Sequence, residues 1–139
     1  MSAPLAEGTS HEDKLRAMQD FQAAMDALKR GDRAKAERLA RQACEYDPEH
    51  DDHGALLAWV RATTSRPNAA GEGIAALTNI LRRNPKNELA LLYRAKLLRR
   101  VGKGGPALSD LDQLLAINPD HREAQGEAKM LRAKQRQNG

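Results

Sequence analysis

Asp47-Pro48, Asn84-Pro85 and Asn118-Pro119 punctuate the chain at intervals of 37 and 34 residues, and this internal period constrains the fold more than any other feature. The residue before a proline is pushed out of the helical region, so each dipeptide marks a helix end. Between these stops the small residues keep the same frame. Ala24, Ala58 and Ala95 fall at spacings of 34 and 37, while Ala36, Gly73 and Ala107 fall at 37 and 34. The three extra residues therefore belong between Ala58 and Gly73, in the loop expected over residues 64–72, and the flanking segments stay in a 34-residue register. A unit this short cannot bury its apolar face alone; it must stack on its neighbours.

The best-formed copy runs over residues 89–119. Leu89, Leu92, Ala95 and Leu98 step along one helix at three- and four-residue intervals. Gly102, Gly104, Gly105 and Pro106 then break the chain, and Leu108, Leu111, Leu114 and Leu115 mark a second helix. The first copy begins with a helix from residue 11 or 12 to 30, striped by Leu15, Met18, Phe21, Met25 and Leu28. Gly31 suits the left-handed position after a helix end, and Asp32 suits the next N-cap. A helix over residues 34–46 follows, turning Ala36, Leu39, Ala40 and Ala43 inward.

A helix-turn-helix period of 34 residues closing on proline resembles the tetratricopeptide (TPR) family over about residues 17–121. The matching residues are Ala24, Gly31, Ala36, Ala43 and Pro48; then Leu57, Ala58, Leu77, Ile80 and Pro85; then Leu91, Ala95, Gly102, Ala107, Leu111, Leu114 and Pro119. Three departures stand out: the large aromatics usual in first helices are mostly absent, Gly73 replaces an alanine, and Arg61 and Arg94 sit at commonly apolar positions. The resemblance implies an all-α, right-handed superhelix of antiparallel hairpins forming a single domain over residues 12–136. Its repeats cover about residues 17–50, 51–87 and 88–121, and residues 122–136 form a capping helix that covers the apolar flank of the last hairpin. Residues 1–11 are expected to be a disordered arm or linker, and residues 137–139 a frayed tail, with fraying reaching back to Gln135.

Composition agrees with helix-on-helix packing, because aromatics are only 3% of the chain and alanine and leucine dominate its apolar set. No segment reaches the roughly 18 to 20 consecutive apolar residues of a membrane span, and the N-terminal stretch lacks an apolar run of about 7 to 15 residues like that of a secretory leader. A soluble, cytoplasmic protein without membrane association is the expectation. The single Cys44 permits no intramolecular disulfide and is expected to be a buried apolar residue. Asp47, Glu49, His50, Asp51, Asp52 and His53 offer transition-metal donors in type, but acidic residues in this position suit an inter-repeat turn beside a helix N-terminus. Gly102 to Gly105 lack the preceding strand and the Lys-Ser/Thr ending of a phosphate loop. No nucleophile-and-base constellation appears, and neither enzymatic activity, cofactor nor metal is expected.

What remains are surfaces. In TPR arrays the first helices line a concave groove, which implies Met18, Phe21, Met25 and Leu28 in the first repeat and Trp59, with Ala55 and Ala62, in the second. In the third it implies Leu92, Lys96, Arg99 and Arg100, with Leu89 nearby and Lys103 following one turn later. The expected groove is apolar at one end and basic at the other. It would take a protein or peptide segment through an apolar anchor, with an acidic side chain or a terminal carboxylate paired by the cations. The TPR subgroup that clamps the acidic C-termini of Hsp70 and Hsp90 needs Lys and Asn where this chain has Phe21 and Met25, so that clamp is not implied. The expectation is a bacterial-type adaptor, freestanding or cut from a larger multidomain protein, and the three-repeat, Ala/Arg-rich style also looks like TPR tails joined to J-domain cochaperones or signalling receiver domains. An alternative is nucleic-acid binding through Arg82, Arg83, Lys86, Arg94, Lys96, Arg99, Arg100 and Lys103; only Tyr93 is at hand for stacking on bases, which disfavours it. Self-association through the apolar surface is a further variant of protein binding.

Overall fold

A computed structural model describes residues 8–138 of the chain. Among them are seven helices and no strand: α1 His11–Lys29, α2 Arg33–Tyr46, α3 Asp51–Ala62, α4 Ala69–Arg83, α5 Glu88–Arg100, α6 Gly104–Ile117 and α7 Arg122–Asn138. Residues 1–7 of the expected arm, and Gly139 of the expected tail, lie outside the described residues. Two boundaries differ from expectation. Helix α4 begins at Ala69, within the stretch read as a loop, and α7 continues through residues expected to fray, as far as Asn138.

The period reappears in backbone geometry. Asp47, Asn84 and Asn118 adopt φ/ψ of −140/79°, −142/77° and −137/85°, the extended side of the map to which a following proline confines them. Their N–H groups donate to the carbonyls of Ala43, Ile80 and Leu114, closing the last turn of each helix. Their own carbonyls accept from His50, Asn87 and His121 at 3.3, 3.1 and 3.1 Å. Three copies of one turn thus sit at the three proline stops.

Two of the hairpins also share one turn. Gly31 and Gly102 both have φ of 82°, a conformation that costs glycine no Cβ clash. Just beyond them, the N–H groups of Asp32 and Lys103 reach back to the carbonyls of Ala27 and Leu98 at 2.9 and 2.8 Å, satisfying helix-end acceptors. Asp32 then caps α2, its carboxylate accepting from the Lys35 N–H at 3.2 Å. The middle connection, lengthened by three residues, is built differently. Asn68 takes the left-handed conformation at φ 65°, and Arg66 pairs with Glu72 at 2.9 Å, tying the loop to the first turn of α4. That hydrogen bond holds the Glu72 carboxyl below its ordinary pKa.

The chain divides into two compact units between Val60 and Arg61. In the first, α1 packs on α2, and every fully buried residue of those two helices except the C-cap neighbour Asp47 is alanine: Ala17, Ala24, Ala27, Ala36, Ala40 and Ala43. Helix α3 buries Ala55, Leu56 and Val60, and the Arg33 guanidinium donates to the Val60 carbonyl at 3.0 Å. In the second unit α4 packs on α5, α5 on α6 and α6 on α7, around Leu77, Leu91, Leu97, Leu111 and Leu114. Arg94, at a position expected to be apolar, reaches Asp110 with two hydrogen bonds of 2.8 and 2.7 Å and Thr78 with a third of 3.1 Å. It joins α4, α5 and α6 through a buried carboxylate.

Candidate partner-binding surfaces

In the first unit the alanine seam sends the large apolar side chains of α1 to the outside. An α1–α2 interface made of methyl groups leaves no room for Met or Phe between the helices, so those residues must lie along its margin. Met18 is 58% exposed and Leu15 48%, while Phe21, Met25 and Leu28 are half-buried. Phe21 rests on His53 of α3, ring centroids 5.2 Å apart and tilted by 42°. His53 in turn stacks on His50 at 4.2 Å and 16°. The His53 ring is 2% exposed, and its Nδ1 is buried without a hydrogen-bond partner. Burial first, then the neighbouring His50, push its pKa below 6.5, against opposing pulls from Asp47 and Asp52. Trp59 is 7% exposed; it supports the core of α3 and presents little surface.

In the second unit two cations of α5 face the seventh helix. Lys96 donates to Glu123 at 2.6 Å, and Arg99 to Glu127 at 3.1 Å. Arg132 of α7 completes the set by pairing with Asp112 of α6. Arg100 and Lys103 remain exposed at the end of α5 and in the following turn. Leu92 is 4% exposed and belongs to the core. A pocket of about 260 Å³ opens beside the turn, lined by Arg99, Gly104, Leu131, Lys134 and Gln135 among others. The basic run that suggested nucleic acid is broken up: Arg94 is engaged inside with Asp110, and Lys96 and Arg99 are matched by carboxylates.

No protein-family model matches the chain, and no curated protein matches it either. Solved structures do. The Arabidopsis OM64 TPR domain superposes with a TM-score of 0.67 at 16% identity, over 87% of this chain and 98% of that one. The first TPR of Spaghetti (RPAP3), bound to the HSP90 peptide SRMEEVD, gives 0.67 at 18% identity over 88% and 97%. A tetratricopeptide repeat protein from Parabacteroides merdae gives 0.57 at 26% identity, covering 88% of this chain and 48% of that one. The fold is the TPR fold.

Within the TPR frame, the residues expected on the first helices divide into two groups. Met18, Phe21, Met25, Leu28, Arg100 and Lys103 retain surface, as do Lys96 and Arg99 in part, whereas Trp59 and Leu92 lie beneath it. The loop histidines act as turn residues: His50 Nδ1 accepts from the Asp52 N–H at 3.3 Å, and His121 Nδ1 from the Ala124 N–H at 3.1 Å. Among the described residues no group of three or more His, Cys, Asp or Glu side chains is arranged to hold a metal ion. No described helix is long and apolar enough to cross a membrane. Cys44 is half-buried. Three features lie outside what the repeat pattern shows: the His53 support beneath Phe21, the Arg94 to Asp110 pair, and the carboxylates of α7. Only the last had a visible signal, since Glu123 and Glu127 are four residues apart and share a helix face.

Proposed function

We propose that this TPR domain is a noncatalytic protein-interaction module, an adaptor or scaffold that takes a peptide or partner segment on the exposed faces of its hairpin-opening helices. The observation that carries the reading is the margin of α1, where Met18 is 58% exposed beside half-buried Phe21, Met25 and Leu28. Flexible methionines around an aromatic ring suit an apolar anchor, because they repack around different side chains at little cost. In the second unit Arg100 and Lys103, with Lys96 and Arg99, give a separate cationic edge for an acidic side chain or a terminal carboxylate. The same fold in the first TPR of Spaghetti and in the second TPR domain of human RPAP3 carries bound peptides ending in EEVD, which supports peptide binding as a use of this architecture.

A peptide-display selection against the purified domain tests the reading. Selected sequences should carry an apolar anchor or an acidic residue, and Met18→Glu with Phe21→Ala should weaken those with the apolar anchor by about tenfold or more, the effect of losing a buried aromatic anchor. Unchanged binding in those variants, and in Arg100→Glu with Lys103→Glu, would remove both surfaces from consideration. Mass measurement across a concentration series asks whether the partner is a second copy.

A further inference from the structure

Helix α7 is held to the second unit differently from its neighbours. It buries only Ala124, Ala128 and Leu131, whereas α5 buries seven residues, among them Leu91, Leu92, Tyr93 and Leu97. Methyl groups and one leucine remove little apolar area from water. Three charge pairs add to this contact: Glu123 on Lys96, Glu127 on Arg99, and Arg132 on Asp112. Glu123 is half exposed, as are both partners of the Arg132 pair. Pairs of this kind contribute little each and weaken as salt screens them. The charges of α7 are also sorted. Its two acids turn toward α5, while Arg122, Lys129, Lys134 and Arg136 are exposed.

Taken together, Lys96, Arg99 and the surface under Ala124, Ala128 and Leu131 form a seat matched to a particular kind of helix. That helix carries carboxylates four residues apart, a small residue after each, and a leucine one turn further on. We infer that an acidic helical segment of a partner protein competes with α7 for this seat, so that the chain's own seventh helix is a built-in competitor for the basic surface. The inference rests on the protein-interaction reading and gives it a partner chemistry: a helix presenting paired carboxylates, not an extended chain. It also explains why Lys96 and Arg99 need not be spare cations in order to serve as binding residues. They exchange one pair of carboxylates for another, and the net cost is only the difference between two similar interfaces.

The experiment uses the full chain and two fluorescein-labelled, alanine-based helical peptides. One carries Glu at two positions four apart, and the other has Gln at both. Glu123→Gln with Glu127→Gln removes the internal competitor's charge without touching the seat. The double variant should bind the Glu peptide about fivefold more tightly than the unaltered protein does, the scale of one or two ion pairs between partly exposed side chains. It should show no gain for the Gln peptide, and adding Arg99→Glu should cancel the gain. In hydrogen exchange, the α7 amides of the double variant should open faster while those of α5 and α6 keep their protection, which also verifies that the variant is folded. Equal affinity of both proteins for the Glu peptide, an equal gain for the Gln peptide, or no binding by either protein overturns the competition. Such a failure leaves the broader reading standing so long as display-selected peptides still depend on Met18 and Phe21.

Discussion

The α1–α2 hairpin and the α5–α6 hairpin occupy the same frame of the repeat and close with the same glycine turn, yet they pack by opposite means. The first is sealed by six alanines, three from each helix. The second is filled by Leu91, Leu97, Leu111 and Leu114, with Ala95 and Ala107 as its small contacts. An alanine seam brings two backbones close but removes little apolar surface per residue, so large side chains gather along its margin, as Met18, Phe21, Met25 and Leu28 do. A leucine core takes the large side chains inside and leaves Lys96, Arg99 and Arg100 to define the outside. The contrast teaches that the character of each candidate binding surface follows from how the hairpin beneath it is packed.

Substitutions chosen on this contrast should separate the two modes. The largest effect is expected in the leucine core, where Leu111→Ala should cost about 3 to 4 kcal/mol in urea unfolding, since a cavity is left where a fully buried side chain stood. Asp110→Ala follows at about 3 kcal/mol, because it strands the partly buried Arg94 without its bidentate partner. A loss below roughly 1 kcal/mol would mean that water replaces the carboxylate and that the pair does not fasten α4, α5 and α6. In the alanine seam the sign of the size change reverses: Ala24→Leu should destabilise by about 2 kcal/mol through overpacking. If Ala24→Leu is neutral or stabilising, the helices are not in close contact there, and the distinction between the hairpins collapses.

The smallest effect concerns pH, and it sharpens the first unit alone. Burial depresses the pKa of His53 below 6.5, so the folded state favours its neutral form and the unfolded state binds the proton more readily. Its contribution to stability is therefore complete above pH 6.5, erodes as the pH falls through 6.5, and levels off below the folded-state pKa. The thermal midpoint should fall over that range, and His53→Phe, which keeps a ring beside Phe21, should flatten the fall. An identical pH profile in that variant would assign the dependence to other groups. Asp20 behaves in the opposite sense, since burial raises its pKa and one carboxylate oxygen lies buried without a hydrogen-bond partner. Asp20→Asn should accordingly raise the midpoint slightly at neutral pH.

The repeat, its turns and its caps were legible in the sequence because each depends on neighbours a few residues away. Proline stops, the left-handed positions of Gly31 and Gly102, and the Asp32 cap are local backbone chemistry. The middle connection was legible only in part. The three-residue excess was visible from the spacing, but part of it extends α4 backwards to Ala69, and nothing in a helix-compatible run such as residues 69–72 marks where the loop stops.

The site residues were harder for a different reason. Periodicity assigns a residue to a helix face, and a face has a centre and two margins that the sequence does not distinguish. Phe21 and Met25 fall on a margin and keep surface, whereas Trp59 and Leu92 fall within the core. The sequence shows that Glu123 and Glu127 share a helix face but not which cations they meet, because Lys96 and Glu123 are 27 residues apart and Arg99 and Glu127 are 28 apart. By itself the sequence determined an all-α repeat with its register, its turns and the identity of its apolar stripes. Only the tertiary structure decided which stripes reach solvent and which cations already hold a carboxylate, since both depend on the distance between helices that are remote in the chain.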